Sequence, residues 1–215
     1  MSSTKAHTRI WIARHGQTEA NKSGLFCGQS ETTLTEFGRE QARALGGRLR
    51  DVPIAAAYAS DLSRAVQTAT IVLDGRSVSL QMDPALREIF YGEWEMKREA
   101  AIRRDHPEQF KKMRDEDPAW HPTGGENPQM VRERTIAAIR SIAARHRGQD
   151  VLVISHGTAI NCMLSEILGI APTHVFRFDV SNCGLSQVAA ANGRLVVLSL
   201  NDTAHLPPLP DAKKR

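Results

Sequence analysis

The sequence contains few cysteines and no long apolar run. Three cysteines among 215 residues are an odd and sparse set, which does not make the disulfide framework of a small secreted protein. No apolar stretch approaches the roughly 20 residues needed to cross a bilayer. Residues 1–8 are polar and lack the apolar centre of a secretory signal. We therefore expect a soluble, cytoplasmic protein with no membrane partner.

Aromatic residues and unopposed positive charge are also scarce. Aromatic residues make up 5% of the chain, too few for a platform on which single-stranded nucleic acid stacks. The net charge is +4 and the pI is near 9.2, but the basic clusters alternate with acidic residues, except in the tail 213–215. A nucleic-acid-binding face gathers its basic residues on one side. We predict no nucleic-acid partner, and a charge that favours small anionic substrates.

The length and the apolar fraction of 41% predict one domain over residues 1–215. Its core is expected to span about residues 9–200, followed by an irregular tail from about residue 203. The predicted strands are 9–13, 54–60, 78–82, 150–155, 175–179, 185–190 and 195–200. The predicted helices are 35–50, 62–73, 99–113, 128–146 and 158–168, with N-caps at Thr35, Asp61 and Asn127. This alternation indicates an α/β fold, with a mostly parallel sheet and helices on both faces.

Unusual polar residues follow three of the predicted strands directly. Arg14 and His15 follow the first strand, Arg64 follows the second, and His156 follows the strand 150–155. In open sheets of this kind, ligands bind beyond the carboxyl ends of the strands. We therefore expect two histidines and two arginines to meet at one edge of the sheet.

This set of side chains suits phosphoryl transfer. An arginine presents a planar fork of donors that matches phosphate oxygens. A neutral histidine is a nucleophile towards phosphorus, and a second histidine stabilises charge on the phosphoryl oxygens. A proton donor for the leaving oxygen is also required. Glu88 lies in an apolar and aromatic stretch, 86–92, a setting that favours the protonated carboxyl.

Motifs along most of the chain resemble the histidine phosphatase superfamily, in its phosphoglycerate mutase branch. They occur in the order typical of that family and cover roughly residues 9–183. The segments that carry the resemblance are Arg14-His15-Gly16-Gln17-Thr18 with Asn21, Leu34-Thr35-x-x-Gly38, Ser60-Asp61-Leu62-x-Arg64-Ala65-x-x-Thr68, Leu86-x-Glu88, Tyr91-Gly92-Glu93-Trp94-Glu95, Gly124-Gly125-Glu126 and Val153-Ile154-Ser155-His156-Gly157. The resemblance implies a phosphoglycerate mutase-like fold.

The resemblance also implies roles for individual residues. His15 is the expected phosphorylated nucleophile and Glu88 the expected proton donor. The residues expected to hold the phosphoryl group are Arg14, Arg64 and His156. The residues expected to contact the substrate are Gly16, Gln17, Thr18, Asn21, Cys27, Gly28 and Gly157. Two departures, Cys27 ahead of Gly28 and Met96-Lys97 where a glycine is common, concern specificity and leave the reaction class unchanged.

Each of these residues also has an ordinary structural alternative. In that alternative, His15 and His156 are hydrogen-bonded histidines of the core. The two arginines would then be ordinary surface residues, and Glu88 would pair with Arg87. We predict no metal, because two arginines beside the histidines would oppose a divalent cation, and we predict no cofactor.

Three functions remain open at this stage. The first is a metal-independent phosphomonoester hydrolase that acts on a small phosphorylated metabolite through a phosphohistidine. The second is a cofactor-dependent phosphoglycerate mutase, although the segment between Glu88 and His156 is more compact than the resemblance implies for mutases. The third is an inactive, phosphatase-like interaction module, which would be expected to have lost one of the site residues. A homodimer is also left open.

The segment 96–113 is expected to cap the pocket. Its basic residues either favour a substrate with a second anionic group or lie on a solvated helix face: Lys97, Arg98, Arg103 and Arg104. Sugar phosphates, phosphoglycerate derivatives and nucleotide-like phosphates all remain open as substrates.

Overall fold

A computed structural model describes residues 7–209. Its strands are β1 (Thr8–Arg14), β2 (Leu25–Phe26), β3 (Ile54–Ala59), β4 (Leu80–Met82), β5 (Lys97–Arg98), β6 (Asp150–Ser155), β7 (Leu185–Ala191) and β8 (Arg194–Asp202). Six of them form one sheet in the order β4-β3-β6-β1-β7-β8. Strands β4, β3, β6 and β1 run parallel, whereas β7 and β8 are antiparallel additions at one edge. The predicted mostly parallel sheet is confirmed.

Helices cover both faces of this sheet, as predicted. The helices of the described residues are α1 (Glu19–Lys22), α2 (Glu36–Arg48), α3 (Ser63–Val72), α4 (Glu99–Asp105), α5 (Pro107–Arg114), α6 (Pro128–Arg145) and α7 (Gly157–Leu168). Of these, α2 and α3 pack on one face of the sheet, and α6 and α7 on the other. Successive residues of a strand point to opposite faces. In β6, Val151 and Val153 pack with residues of α6 and α7, whereas Leu152 and Ile154 pack with residues of α2 and α3. The all-apolar centre of β6 is therefore explained by burial on both faces.

Two of the three predicted helix caps are present. The Thr35 hydroxyl accepts a hydrogen bond from the Gly38 amide (2.9 Å), and Asn127 Oδ1 accepts one from the Met130 amide (2.8 Å). The prediction for Asp61 is wrong, because Leu62 is the N-cap of α3. Asp61 instead accepts two hydrogen bonds from Arg87, at 2.6 and 2.7 Å.

Two further element predictions are corrected. The single helix expected over 99–113 is two helices, α4 and α5, which meet at His106 because Pro107 cannot continue the helix that precedes it. The strand expected over 175–179 is absent: a short 3₁₀ turn (Pro172–His174) leads into an irregular segment there. The apolar residues Val175 and Val180 of this segment are buried in separate core clusters, which accounts for the pattern without a strand. The sequence analysis also missed α1 and the small β2–β5 sheet.

The parallel strands bring three chain segments to one edge of the sheet. Arg14 pairs with Ser155, and Ala59 pairs with Ile154, so β1, β3 and β6 end at the same level. The hydrogen bonding between β1 and β6 continues for one residue beyond β1, because the His15 amide donates to the Ser155 carbonyl at 3.0 Å. The residues that follow these three strands are therefore neighbours.

Within residues 7–209, no helix is long and apolar enough to span a membrane. Residues 203–209 contain no helix or strand, as expected for the tail. The polar N-terminus up to residue 6 and the basic end at 213–215 lie outside the described residues.

Candidate active site

His15 lies in a tight loop between β1 and α1. The Gly16 amide donates to the Thr68 hydroxyl at 3.0 Å. The backbone of Gly16 also packs directly against that of Gly38 at the start of α2, where an added Cβ on either glycine would collide with backbone atoms. This contact explains why glycine is needed at both positions, and it fixes the loop that presents His15.

The ring of His15 is neutral and has a defined tautomer. Its Nδ1 atom lies 2.7 Å from the Gly16 carbonyl oxygen. A carbonyl oxygen only accepts, so Nδ1 carries the proton and Nε2 keeps its lone pair. Burial, reinforced by the positive charges of Arg64 and Arg14, holds the pKa of His15 well below its usual range. The ring therefore offers an unprotonated Nε2 near neutral pH, as a nucleophile requires.

Arg64 lies between the two histidines. Its Nε–H group donates both to His15 Nε2 (3.3 Å) and to His156 Nδ1 (3.2 Å). The two imidazole rings are 5.1 Å apart in an edge-on arrangement. The rest of the guanidinium is held by the carbonyls of Ser30 (2.9 Å) and Gly28. Only 2% of Arg64 is exposed, so the fork is fixed in a nearly dry site.

His156 and Arg14 contribute buried donors. Because His156 Nδ1 accepts from Arg64, its neutral ring carries the proton on Nε2. Burial and the charge of Arg64 hold the pKa of His156 well below its usual range. Arg14 Nη1 donates to the Val180 carbonyl at 2.8 Å. Among residues 7–209, neither Arg14 Nε nor His156 Nε2 has a hydrogen-bond partner, although both atoms are buried. Buried donors of this kind are satisfied when an anion supplies acceptor oxygens.

Glu88 approaches the same place from another direction. Its carboxylate accepts hydrogen bonds from the amides of Thr158 (3.1 Å) and Ala159 (3.0 Å) in the first turn of α7, and from its neighbour Ile89 (2.9 Å). The side chain of His156 does not cap α7, so Glu88 supplies the acceptor that this helix end needs. The carboxylate is therefore surrounded by backbone donors, in contrast to the apolar setting expected from its flanking residues. Those neighbours, Leu86 and Ile89, are buried in two separate core clusters.

A cavity of about 390 Å³ adjoins these groups. Three of the five predicted catalytic residues line it: Arg14, Arg64 and Glu88. Of the predicted substrate-binding residues, the following line it: Asn21, Cys27, Gly28 and Gly157. The other two predicted catalytic residues, His15 and His156, do not line the cavity but contact Arg64, which does. A larger cleft of about 680 Å³ lies at the opposite end of the sheet, near the start of β1, but no carboxylate lines it, and it is remote from both histidines. Chemistry and not volume therefore selects the smaller cavity.

Three predicted substrate-binding residues do not line the cavity. Gly16 contacts α2, the Gln17 amide donates to Gln41 Oε1 (3.0 Å), and the Thr18 side chain caps α1. All three residues shape the loop that carries His15. The structure also places the four basic residues of segment 97–104 outside the cavity lining, so it supports the solvated alternative for them.

Sequence reasoning missed several residues around the site. Asn182 Nδ2 donates to the His15 carbonyl (2.9 Å) and to Asn21 Oδ1 (3.2 Å). The Glu95 carboxylate accepts from the amides of Gln29 (2.9 Å) and Ser30 (2.7 Å), which positions the loop that binds Arg64. Glu95 could have been found from the sequence, because it is the last residue of the Tyr91-Gly92-Glu93-Trp94-Glu95 motif. Asn182 could not, because it lies ahead of β7 and outside the quoted motifs.

Among the described residues, no group of three or more His, Cys, Asp and Glu side chains is arranged to hold a metal ion. The metal-free reaction stays a prediction.

The family model of the histidine phosphatase superfamily (branch 1) matches residues 10–203 of the chain. The adenosylcobalamin/alpha-ribazole phosphatase of Salmonella typhimurium is 32% identical over 196 residues, which make up 91% of this chain and 97% of that protein. A protein named "Probable phosphoglycerate mutase GpmB" from Yersinia enterocolitica is 33% identical over 204 residues, covering 92% and 94% of the two chains. The solved structure of Bacillus stearothermophilus YhfR matches with a TM-score of 0.89 and 31% identity, covering 93% of this chain and all of that one.

The chain therefore belongs to the histidine phosphatase superfamily, branch 1. The predicted family, the phosphoglycerate mutase-like α/β fold and the assignment as an enzyme of the histidine phosphatase type are confirmed. The names of the relatives include both phosphatases and a mutase. The fate of the phosphoryl group and the substrate are therefore separate questions.

Proposed function

We propose that the protein is a metal-independent phosphomonoester hydrolase that works through a phosphohistidine at His15, on a small phosphorylated metabolite. The observation that carries the proposal is the unprotonated Nε2 of His15, which lies 3.3 Å from Nε of Arg64, a residue that lines the same cavity as Glu88. One domain over 1–215 is consistent with a family match over residues 10–203.

The first half of the proposed reaction transfers the phosphoryl group to the enzyme. The Nε2 lone pair of His15 forms a bond to phosphorus while the ester P–O bond breaks. The acid role requires that Glu88 carry a proton when the ester binds, although its oxygens accept three backbone amides. Glu88 gives this proton to the departing oxygen, which leaves as a neutral alcohol. Arg14, Arg64 and the Nε2–H of His156 bind the phosphoryl oxygens, so charge is stabilised where it develops.

The second half releases phosphate. Water attacks the phosphorus of the phosphohistidine, and its proton passes to Glu88, now the base. The P–N bond breaks, and its electron pair returns to His15 Nε2. The protonated Glu88 and neutral His15 are thereby restored, and no metal takes part.

The charges around the cavity favour hydrolysis over the mutase alternative. Among the lining residues, Arg14 and Arg64 are the cations, and both are expected to bind the phosphoryl group. The remaining wall carries aromatic side chains, including Tyr91 and Phe176, and the carboxylate of Asp179. A phosphoglycerate carboxylate would meet Asp179 and find no further cation there. We therefore expect an ester whose alcohol carries no second negative charge.

The inactive-module alternative is not supported, because all five predicted catalytic residues are present and converge. A small phosphorylated metabolite is the expected partner, and a homodimer stays an open prediction.

The direct test is activity in EDTA against a panel of phosphomonoesters that includes 3-phosphoglycerate, with both free phosphate and 2-phosphoglycerate measured. We expect phosphate release without isomerisation, and loss of this activity in His15→Ala. His174→Ala is the matched control, because His174 pairs with Glu116 and is not part of the cluster that Arg64 forms with His15 and His156. Rapid isomerisation with little free phosphate would establish the mutase instead, and near-normal turnover in His15→Ala would refute the nucleophile assignment.

A further inference from the structure

Glu88 lies on a segment that has little regular structure of its own. A 3₁₀ turn (Pro84–Leu86) precedes it, and the chain continues without a helix or strand to Tyr91. A general acid must be held within hydrogen-bond reach of the leaving oxygen, and small displacements are costly. Some other part of the protein must therefore position this backbone.

The guanidinium of Arg134 makes more hydrogen bonds to the backbone around Glu88 than any other side chain; Gln29 Nε2 adds one to the Glu88 carbonyl (3.1 Å) and Ser155 Oγ one to the Leu86 carbonyl (2.8 Å). Arg134, on α6, donates from Nη1 to the carbonyls of Ala85 (3.0 Å) and Arg87 (2.6 Å), and from Nη2 to the carbonyl of Glu88 itself (2.9 Å). Three backbone carbonyls of residues 85–88 therefore accept hydrogen bonds from the one guanidinium of Arg134.

The remaining donors of Arg134 bind Glu126. Nε donates to Glu126 Oε1 and Nη2 to Oε2, both at 2.9 Å. All five N–H groups of this arginine are therefore used. Glu126 also fixes the chain on the other side of Glu88, because its carboxylate accepts from the Phe90 amide and its own amide donates to the Phe90 carbonyl, both at 2.9 Å.

These contacts also explain the Gly-Gly-Glu motif. A side chain at Gly125 would collide with the Phe90 carbonyl, so glycine lets Glu126 approach. The Arg134–Glu126 pair is mostly buried, with 20% and 17% of the two side chains exposed, and so it is a fixed support.

We propose that Arg134, oriented by Glu126, is the positioning residue that sets the general acid Glu88 in the catalytic cavity. The inference rests on the proposed function, because it assigns Arg134 a role in protonating the leaving group. All five donors of Arg134 and both carboxylate oxygens of Glu126 are used on each other and on the backbone around Glu88, so neither side chain has a group left for the substrate. Their effect is on the backbone from which the Glu88 carboxylate reaches its three amide donors.

Arg134→Lys tests this directly. Lysine keeps the charge, but its three donors on one nitrogen cannot reproduce five donors in a plane. The matched control is Arg132→Lys on the same helix. Arg132 is similarly buried and pairs with Glu166 and the Ile170 carbonyl, away from Glu88.

The readout is kcat/KM for a series of aryl and alkyl phosphates with leaving groups of increasing pKa. Protonation contributes most for poor leaving groups, and general acids contribute about 10²–10⁴-fold. We expect Arg134→Lys to lower kcat/KM by about 10–100-fold for phenyl phosphate and by less than about threefold for dinitrophenyl phosphate. Arg132→Lys should leave the dependence of kcat/KM on the leaving-group pKa unchanged. Should Arg134→Lys fail to fold, Glu126→Gln is measured in its place, with the same expected direction.

Two results for Arg134→Lys would overturn the proposal. One is a loss of kcat/KM that is equal for every ester, and the other is a set of kcat/KM values that equal those of wild type. Glu88→Gln, measured alongside, separates this failure from a failure of the proposed function. If kcat/KM depends more steeply on the leaving-group pKa in Glu88→Gln but not in Arg134→Lys, the positioning role is wrong. If Glu88→Gln itself leaves the slope unchanged, the general-acid assignment fails and the positioning role fails with it.

Discussion

The floor and the rim of the catalytic cavity are built in different ways. The floor consists of Arg64, which lines the cavity, and of His15 and His156, which contact Arg64 from below. These three residues follow the ends of β1, β3 and β6 and are at most 4% exposed. On the rim, Phe176 and Asp179 are exposed and come from an irregular segment. The floor therefore has its geometry imposed by the sheet, whereas the rim has few constraints.

This difference separates reaction from specificity. Groups on rigid strand ends suit the precise placement that phosphoryl transfer needs, and loops above them suit variation in the alcohol. Changes on the floor should therefore affect all substrates, and changes on the rim should affect few or none.

After the loss of activity expected in His15→Ala, the largest effect is expected on the floor, at Arg64. Arg64→Lys keeps the charge but loses the fork that joins both histidines and the Gly28–Ser30 loop. We expect kcat/KM to fall by about 10²–10³-fold for every ester. Arg132→Lys is the control, because Arg132 is also buried, lies outside the cavity lining and pairs with Glu166. A loss confined to some substrates would contradict the comparison, since it would make Arg64 a specificity residue.

Glu88→Gln is expected to have the next largest effect, and a selective one. The amide cannot donate the proton that a poor leaving group needs, so alkyl phosphates should lose about 10²-fold or more while activated aryl phosphates change little in kcat/KM. Steady-state rates for the two classes provide the measurement. An equal loss for both classes would count against the acid role.

The two floor histidines should also make stability depend on pH. Their pKa values in the folded state are held well below the ordinary value of about 6.5, chiefly by burial. As the pH falls below about 6.5, the unfolded chain takes up protons at these histidines while the folded chain does not. The free energy of unfolding should therefore decrease with falling pH, by up to about 1.4 kcal/mol per pH unit for each histidine.

Urea unfolding at pH 7.5 and pH 5.5 measures this dependence. The double variant His15→Asn/His156→Gln should show a smaller decrease than wild type over the same range. An equal decrease in both proteins would mean that the two histidines are not held neutral by the fold.

The smallest effect is expected at Arg103. This residue borders a surface depression between α4 and α5 and not the catalytic cavity. Arg103→Gln should change kcat/KM by less than about twofold for 3-phosphoglycerate and for p-nitrophenyl phosphate, as for most surface substitutions. A loss specific to 3-phosphoglycerate would restore a substrate-binding role for segment 96–113.

The same contrast explains what could be predicted from the sequence. The strand before His15 and the strand before His156 have strong apolar runs, and parallel strands must end together, so the floor followed from local patterns. The strand over 175–179 was predicted wrongly, because Val175 and the neighbouring Val180 are buried although the chain there is irregular. The role of Arg134 was not predictable, because its three carbonyl partners carry no side-chain signal. Long-range backbone contacts of this kind become visible only in the fold.

The central claim is that the phosphoryl group passes through His15, and the most direct measurement is to locate it there. Wild type and Glu88→Gln would be quenched in alkali during turnover of p-nitrophenyl phosphate, and the phosphorylated peptide would be mapped by mass spectrometry. We predict phosphate on His15, in larger amount in Glu88→Gln, because that variant lacks the base that activates water. Phosphate on another side chain, or steady release of p-nitrophenol by Glu88→Gln with no phosphorylated protein, would contradict the account.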